Sequence, residues 1–180
     1  MVPEARVEQT ENGLVPKGDG WYVLNARDAT WWHAEGRPAV AEFEGEPGFA
    51  QLGINLTSLE PGVPMAMYHW EADQEDFLLV AGEALLVIEG EERPLRQWDL
   101  VHCPPGAEHT IIGRGATPCV VVAVGARVDS VGPNWGAYPV NETALRHNAG
   151  VERETTDSDE AYAHVPKRDP TGYREGWLPD

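Results

Sequence analysis

Short apolar segments separated by turn-forming residues dominate the middle of the chain, from Gly20 to Arg127. Within residues 52–56, leucine and isoleucine alternate with Gly53 and Asn55, which is the two-residue period of a half-buried strand. The predicted strands are Trp21–Asn25, Ala39–Phe43, Ala50–Leu59, Met65–Trp70, Asp76–Val80, Ala84–Glu89, Asp99–Cys103, His109–Ile112 and Pro118–Arg127. Many short strands with regular turn signals predict an all-β sandwich or barrel. Because no internal repeat is present, we expect a single barrel.

The same pattern divides the chain into three parts. Residues 1–19 are rich in charge, Gly and Pro and are predicted to be a mobile arm, and residues 20–127 form the barrel. Residues 128–180 form a C-terminal extension whose end carries Tyr173 and Trp177. Large aromatic side chains in a tail predict that it docks on the barrel or on a partner subunit. Two short helices are predicted in the extension, Val140–Gly150, capped by Asn141, and Ser158–Val165.

Composition and charge narrow the possible partners. Hydrophobic residues make up 42% of the chain, which excludes wholesale disorder. The formal net charge of −17, from 30 acids against 13 bases, would repel nucleic acid and anionic lipid, so neither is a predicted partner. No apolar run is long enough to span a membrane, and the N-terminus lacks the features of a signal peptide, which predicts a cytoplasmic protein. Cys103 and Cys119 are isolated and are predicted to be packing thiols.

Candidate metal ligands are concentrated in two stretches. His69 and Glu71 are two residues apart, so on a strand both side chains would project to one face, and Glu75 follows past a polar corner. In the second stretch a strand ends in a Pro-Pro-Gly turn, and His109 opens the next strand. Imidazole plus carboxylate is a usual ligand set for Mn, Fe, Ni or Zn. The remaining histidines are predicted to lie outside the site: His33, His102, His147 and His164.

These two stretches resemble the paired motifs of the cupin superfamily, G-x5-H-x-H-x3-4-E-x6-G and G-x5-P-x-G-x2-H-x3-N. Glu75 and Gly82 match the end of the first motif, and Pro104, Gly106 and His109 match the second at the family spacing. The resemblance covers roughly residues 50–125. It implies a jelly roll, or double-stranded β-helix, that holds one divalent transition-metal ion (Fe, Mn, Ni or Zn) at its mouth.

The first motif departs from the family pattern, and the departure leaves two alignments. Counting from Gly62 places Tyr68 and Trp70 at the two histidine positions, whereas counting back from the motif's glutamate places His69 and Glu71 there. We prefer the second alignment, because turn length before a strand varies easily while the direction of a side chain on the strand does not. The predicted ligands are therefore His69, Glu71, Glu75 and His109. Glu71 is also the predicted catalytic residue, and an interaction with a ligand or water instead of the ion stays open for it.

The resemblance also implies a pocket for a small-molecule ligand inside the barrel, and a homodimer. Its predicted wall residues are Met67, Phe77, Leu79, Leu100 and Ile111. Two imidazoles and a carboxylate match the facial arrangement of non-haem Fe(II) oxygenases, so we predict an oxygenase-like enzyme acting on a small organic molecule. The alternatives are a metal-assisted isomerase, epimerase or lyase, and a cupin that binds a small ligand without turnover.

Overall fold

The computed structural model of the protein describes residues 1–129, 132 and 134–179. The strands are β1 (Arg6–Thr10), β2 (Gly13–Lys17), β3 (Thr30–His33), β4 (Ala39–Glu42), β5 (Leu52–Leu59), β6 (Trp70–Glu71), β7 (Glu75–Ala81), β8 (Glu83–Ile88), β9 (Glu91–Arg96), β10 (Leu100–Cys103), β11 (His109–Arg114), β12 (Cys119–Ala126), β13 (Gly136–Ala137) and β14 (Asp169–Thr171). The two short helices are α1 (Glu142–Arg146) and α2 (Ser158–Ala161).

Two antiparallel sheets enclose the main core. The larger sheet has the strand order β10-β7-β12-β5-β4-β3-β14, and the smaller sheet has the order β11-β8-β9. Side chains from both sheets meet in one apolar cluster, whose removal from water is the main force holding the sheets together. The buried members of this cluster are Leu59, Phe77, Leu79, Ala84, Leu86, Val101, Cys103, Ile111, Cys119, Val121 and Ala123. The predicted all-β jelly-roll architecture is confirmed.

The C-terminal extension covers the outer face of the larger sheet. Strand β14 pairs with β3, and Trp177, which is 8% exposed, lies with its ring centroid 5.0 Å from that of Trp31. Leu56 of β5 packs against this outer cluster, whereas Asn55 and Thr57 line a cavity between the sheets. Of the alternating apolar positions of β5, Leu56 is therefore covered by the tail while Leu52 is 42% exposed, and Asn55 and Thr57 face inward.

Several elements differ from the sequence prediction. The segment 65–69 makes backbone hydrogen bonds to β11 and to Ala149 at separate points, so only Trp70–Glu71 is a regular strand there. Residues 21–25 are not a strand, since Trp21 makes only an isolated bridge with Glu4. Strand β9 occupies a segment between the predicted strands Ala84–Glu89 and Asp99–Cys103, where no strand was predicted.

The N-terminal and C-terminal parts contain more structure than the residue pattern indicates. Strands β1 and β2 form a hairpin within residues 1–19, so this segment has local structure, while its mobility stays a prediction, as does the division into three parts. Helix α1 begins after Asn141, whose side chain accepts hydrogen bonds from the backbone N–H groups of Thr143 and Ala144, as the predicted cap requires. Neither helix of the described residues has the length and apolar content needed to cross a membrane.

Candidate metal centre

Two histidines from distant parts of the chain face each other across a backbone bridge. The N–H of His69 donates to the carbonyl of His109 at 3.1 Å, and the N–H of His109 donates back to the carbonyl of His69 at 2.8 Å. Residues paired in this way project their side chains from the same face. The two imidazole centroids accordingly lie 4.9 Å apart.

Backbone carbonyls fix the tautomer of both rings. Nδ1 of His69 lies 2.7 Å from the carbonyl oxygen of Met67, and Nδ1 of His109 lies 3.0 Å from that of Ala107. Because a carbonyl oxygen only accepts, each Nδ1 carries the proton in the neutral ring. Each Nε2 therefore keeps its lone pair, which is the arrangement that metal-binding histidines adopt.

Glu75, the first residue of β7, supplies a carboxylate to the same point. Its Oε2 lies 3.4 Å from Nε2 of His109 and 3.8 Å from Nε2 of His69. One ligand atom from each of the three residues lies within 4.8 Å of the other two, so the group could hold a metal ion. Phe77 and Leu79 belong to the interior core, and the two-residue period of β7 places Glu75 on this inward face with them.

Burial and mutual charge perturb all three groups. Burial raises the pKa of Glu75 to about 7, and the charge of Glu71 adds to this effect while His69 opposes it. Burial, together with the charge of His69, lowers the pKa of His109 to about 4. Burial also acts to lower the pKa of His69, but the carboxylates of Glu71 and Glu75 outweigh it, so that pKa is raised. At neutral pH His109 is thus uncharged, and the Glu75 carboxylate is poorly stabilised.

Unsatisfied polar atoms show that these side chains fit a metal ion. Oε2 of Glu75 and Nε2 of His109 are buried and have no hydrogen-bond partner among the described residues, although they lie only 3.4 Å apart. Buried acceptors without a donor are costly, and a cation among them would satisfy both. The donor set of two imidazoles and a carboxylate suits a divalent transition metal.

Glu71 lies beside this group. Its Oε1 is 3.7 Å from Nε2 of His69, but it is not one of the three residues that converge. Tyr68, by contrast, is fully buried on the other side of its segment, where it packs with Val87, Ile112 and Ala144. The structure thus turns His69 toward the candidate site and Tyr68 away from it, as the preferred alignment requires. Direct ligation by Glu71 stays a prediction.

The three residues line a cavity of ≈ 200 Å³ between the two sheets. Of the five predicted wall residues, Phe77 and Ile111 line it. Leu79 is buried in the core and Met67 in a separate cluster, so neither lines this cavity. The prediction for Leu100 is wrong, since its side chain is 67% exposed and the alternate positions on β10 point inward.

The remaining histidines and both cysteines lie outside the candidate site, as predicted. His102 projects outward and its Nδ1 lies 2.7 Å from Oδ1 of Asp76, while Nε2 of His147 lies 2.8 Å from Oε1 of Glu92. His33 packs against the ring of Trp177 in the docked tail. Both cysteines are buried and free.

Sequence reasoning missed several side chains around the site. The rings of Trp135 and Tyr138 lie 6.3 and 5.9 Å from that of His69. Asn55, Thr57 and Arg168 line the cavity. The inward positions of Asn55 and Thr57 are encoded in the alternation of β5, whereas nothing local to Arg168 indicates its place.

Comparison with known proteins agrees with this architecture. Residues 55–125 match the family model described as "Cupin domain", so the predicted resemblance is confirmed over that part of the chain. A predicted oxalate decarboxylase from Thermotoga maritima has a TM-score of 0.54 at 17% identity, covering 59% of this chain and 100% of its own. The polyketide cyclase RemF from Streptomyces resistomycificus has a TM-score of 0.52 at 12% identity, covering 59% of this chain and 79% of its own. At these identities the two structures show the shared fold alone.

A third similar structure has a higher sequence identity, but the match spans a smaller share of its length. The sugar phosphate isomerase from a cupin superfamily of Silicibacter pomeroyi is 27% identical, with a TM-score of 0.46. The match covers 51% of this chain and 60% of the isomerase. No curated protein matches the sequence.

Proposed function

We propose that this protein is an enzyme that uses one divalent transition-metal ion, held by His69, Glu75 and His109, to act on a small organic molecule, with oxygenase-like chemistry. The observation that carries the proposal is the convergence of two Nε2 lone pairs and one largely buried carboxylate at the wall of the cavity between the sheets. Three protein ligands on one side of an ion leave coordination positions open on the other, as in the 2-His-1-carboxylate sites of non-haem oxygenases.

The surrounding residues make the site suitable for chemistry on an organic molecule. Phe77 and Ile111 exclude water from one side of the cavity, and Trp135 and Tyr138 pack beside His69. When bound, a divalent ion would supply Lewis acidity and, in the case of iron, the redox chemistry that activates dioxygen. The protein's own task is to orient the imidazoles with Nε2 toward the ion, which the two backbone carbonyls do by accepting from Nδ1.

We propose that Glu71 acts next to the ion, as a further ligand or as the group that moves a proton. Its carboxylate is 25% exposed and lies 3.7 Å from Nε2 of His69, so it is close to the site yet reachable by solvent. A carboxylate in such a position can take a proton from a bound molecule and pass it to water.

The position of Glu71 also supports a second candidate, a metal-assisted isomerase, epimerase or lyase. In that reaction class the ion polarises a carbonyl or enolate oxygen, and a neighbouring carboxylate carries the proton. The two candidates differ in their need for dioxygen, which makes them separable by experiment.

Oxygen uptake distinguishes the two chemistries. The protein would be loaded with Fe(II) without air and mixed with a panel of small organic acids and phenols, using His109→Ala as the inactive variant and His102→Ala as the matched control. We expect oxygen uptake that depends on one class of compound, persists in His102→Ala and is lost in His109→Ala. Conversion of a panel compound without oxygen uptake would favour the second candidate. Metal binding without any conversion would favour a ligand-binding protein.

We further propose that the protein works in the cytoplasm as a homodimer with a small-molecule ligand and without nucleic-acid or membrane partners. The net charge of −17 supports the last point, since it repels polyanions. Trp98 and Leu100, each 67% exposed, provide neighbouring apolar surface that supports a contact between subunits. Light scattering during gel filtration measures the mass of the protein in solution, and a monomer mass would contradict the proposed homodimer.

A further inference from the structure

Arg168 is brought to the candidate metal cavity by the C-terminal extension. It directly precedes β14, which is held to β3 by backbone pairing, and the tail beyond is anchored by buried Trp177. The Arg168 side chain lines the cavity that His69, Glu75 and His109 also line. Its position is therefore fixed by the fold of the extension and does not depend on a free tail.

The Arg168 guanidinium has no ion-pair partner in the part of the chain that the structure describes, although Glu42 and Glu44 line the adjoining cavity with it and the chain carries 30 acidic residues. Arg127 lines the adjoining cavity with it and differs in this respect, because it pairs with both carboxylate oxygens of Glu44 at 2.7 and 2.8 Å. Arg168 therefore lines both cavities with a charge that no carboxylate of the described residues pairs.

The groups packed near Arg168 make its charge harder to accommodate. Burial lowers its pKa, and the charge of Arg37 lowers it further, while Tyr162 has the opposite effect. Arg37 itself stacks over the ring of Tyr162, with 4.9 Å from its Cζ to the ring centroid, and donates a hydrogen bond to the carbonyl of Pro166. Since arginine stays protonated, these are two neighbouring cations, and neither forms an ion pair with a carboxylate of the described residues.

Further donor capacity lies on the same cavity wall. The hydroxyl of Thr57 donates to Oδ1 of Asn55 at 2.8 Å, which leaves Nδ2 of Asn55 as a free donor among the described residues. Asn55 lines the cavity together with Arg168. The same cavity thus offers N–H donors and positive charge from Arg168 and Asn55, and electron pairs from His69, Glu75 and His109.

We propose that Arg168, assisted by Asn55, binds a carboxylate or phosphate group of the small molecule that occupies the His69–Glu75–His109 cavity. This inference rests on the proposed function, and it restricts the substrate class to small organic anions. The planar fork of a guanidinium matches both kinds of oxyanion with two parallel hydrogen bonds. The cavity of ≈ 200 Å³ has room for a small organic anion between Arg168 and the three candidate ligands.

Calorimetric titration of four full-length proteins tests this assignment. The probes are inorganic phosphate, malonate and the uncharged malonamide, each added to zinc-loaded and to metal-free protein. Arg168→Gln removes the charge, and Arg168→Lys keeps the charge without the fork. Arg174→Gln is the matched control, because it removes one charge from the same extension at an exposed residue beside Trp177.

We expect phosphate or malonate to bind the wild type, and malonamide to bind at least about tenfold more weakly. The affinity for the anion should fall about tenfold or more in Arg168→Gln, fall less in Arg168→Lys, and stay unchanged in Arg174→Gln. The anion that binds with the higher affinity identifies the group that the substrate carries. Thermal unfolding of each variant shows that the fold is intact, and the lysine variant gives a second reading if the glutamine variant does not fold.

Equal anion affinity in the wild type and both Arg168 variants would overturn the proposal. A wild type that binds neither phosphate nor malonate would also overturn it. Elemental analysis of the same samples separates this result from the proposed function. Bound metal together with anion binding that ignores Arg168 refutes the anion site alone. Anion binding that depends on Arg168 in a protein that takes up no metal supports the anion site and refutes the metal-dependent function.

Discussion

Replacing Glu75 by Gln should stabilise the metal-free protein at alkaline pH, because it removes a buried charge and keeps the shape of the side chain. The pKa of Glu75 is raised from its usual 4.5 to about 7, chiefly by burial. Because the pKa of Glu75 is higher in the folded chain than in the unfolded chain, its protonated form favours folding. This contribution is fully present below the unfolded pKa and is lost as pH rises through the folded pKa. Each pKa unit corresponds to about 1.4 kcal/mol, so ionised Glu75 costs roughly 3 kcal/mol above pH 8.

The expected gain is somewhat smaller, because His69 loses one of its two carboxylate neighbours in the variant. We therefore expect Glu75→Gln to be more stable than the wild type by about 2 kcal/mol at pH 8 and nearly equal to it at pH 5. For a chain of this size, that gain raises the melting temperature by roughly 4–8 °C. The gain should be confined to protein freed of metal, because a bound ion stabilises only the chain that can hold it.

Thermal unfolding in chelator at pH 5 and pH 8 measures this effect, and the same scans with added zinc should reverse the order at pH 8. Asp76→Asn is the matched control, since Asp76 follows Glu75 on β7 but projects outward to His102. The pKa of Asp76 is lowered by its hydrogen bonds to Gln74 and His102, so its loss should not stabilise the protein at any pH. A Glu75→Gln variant that melts below the wild type at pH 8 in chelator would refute the reasoning, because Glu75 would then be a stabilising structural residue.

Three further substitutions probe the rest of the account. Trp177→Ala should cost about 3 kcal/mol or more in urea unfolding, because the ring packs against Trp31, and an unchanged midpoint would contradict docking of the tail. Tyr68→Phe should cost about 1 kcal/mol, because the hydroxyl accepts a hydrogen bond from Gly90, yet leave zinc affinity unchanged in a competition titration. Glu71→Gln should weaken zinc binding or change the preferred metal in that titration, and the opposite pattern for these two variants would contradict the alignment.

The three converging residues could be singled out from the sequence because His69, Glu75 and His109 stand in the two stretches that resemble the cupin motifs. Their role as metal ligands stays a prediction. The cavity wall could not be predicted in the same way. Arg168 reaches the cavity only because β14 pairs with β3, a contact between distant parts of the chain that leaves no local pattern.

Strand prediction succeeded for several strands with one buried face, missed the exposed strand β9, and also missed β3, in which Thr30 and Trp31 are buried. Strands β7, β10 and β12 have buried positions and were predicted within one or two residues of their bounds. Strand β9 lies at the edge of its sheet with almost every side chain exposed, and its sequence EERPLR shows no apolar alternation. Charged residues and proline are typical of such an edge, since they prevent pairing with other chains, and they resemble a turn in the sequence.

The metal content of protein purified without added metal tests the central claim most directly. Elemental analysis should find close to one divalent transition-metal ion per chain in the wild type and in His102→Ala, and almost none in His109→Ala, with the same circular dichroism spectrum in all three. The result follows if His109 contributes its free Nε2 to an ion and His102 does not. Wild-type protein that carries no metal, and whose melting temperature does not rise with added Mn, Fe, Ni or Zn, would contradict the account.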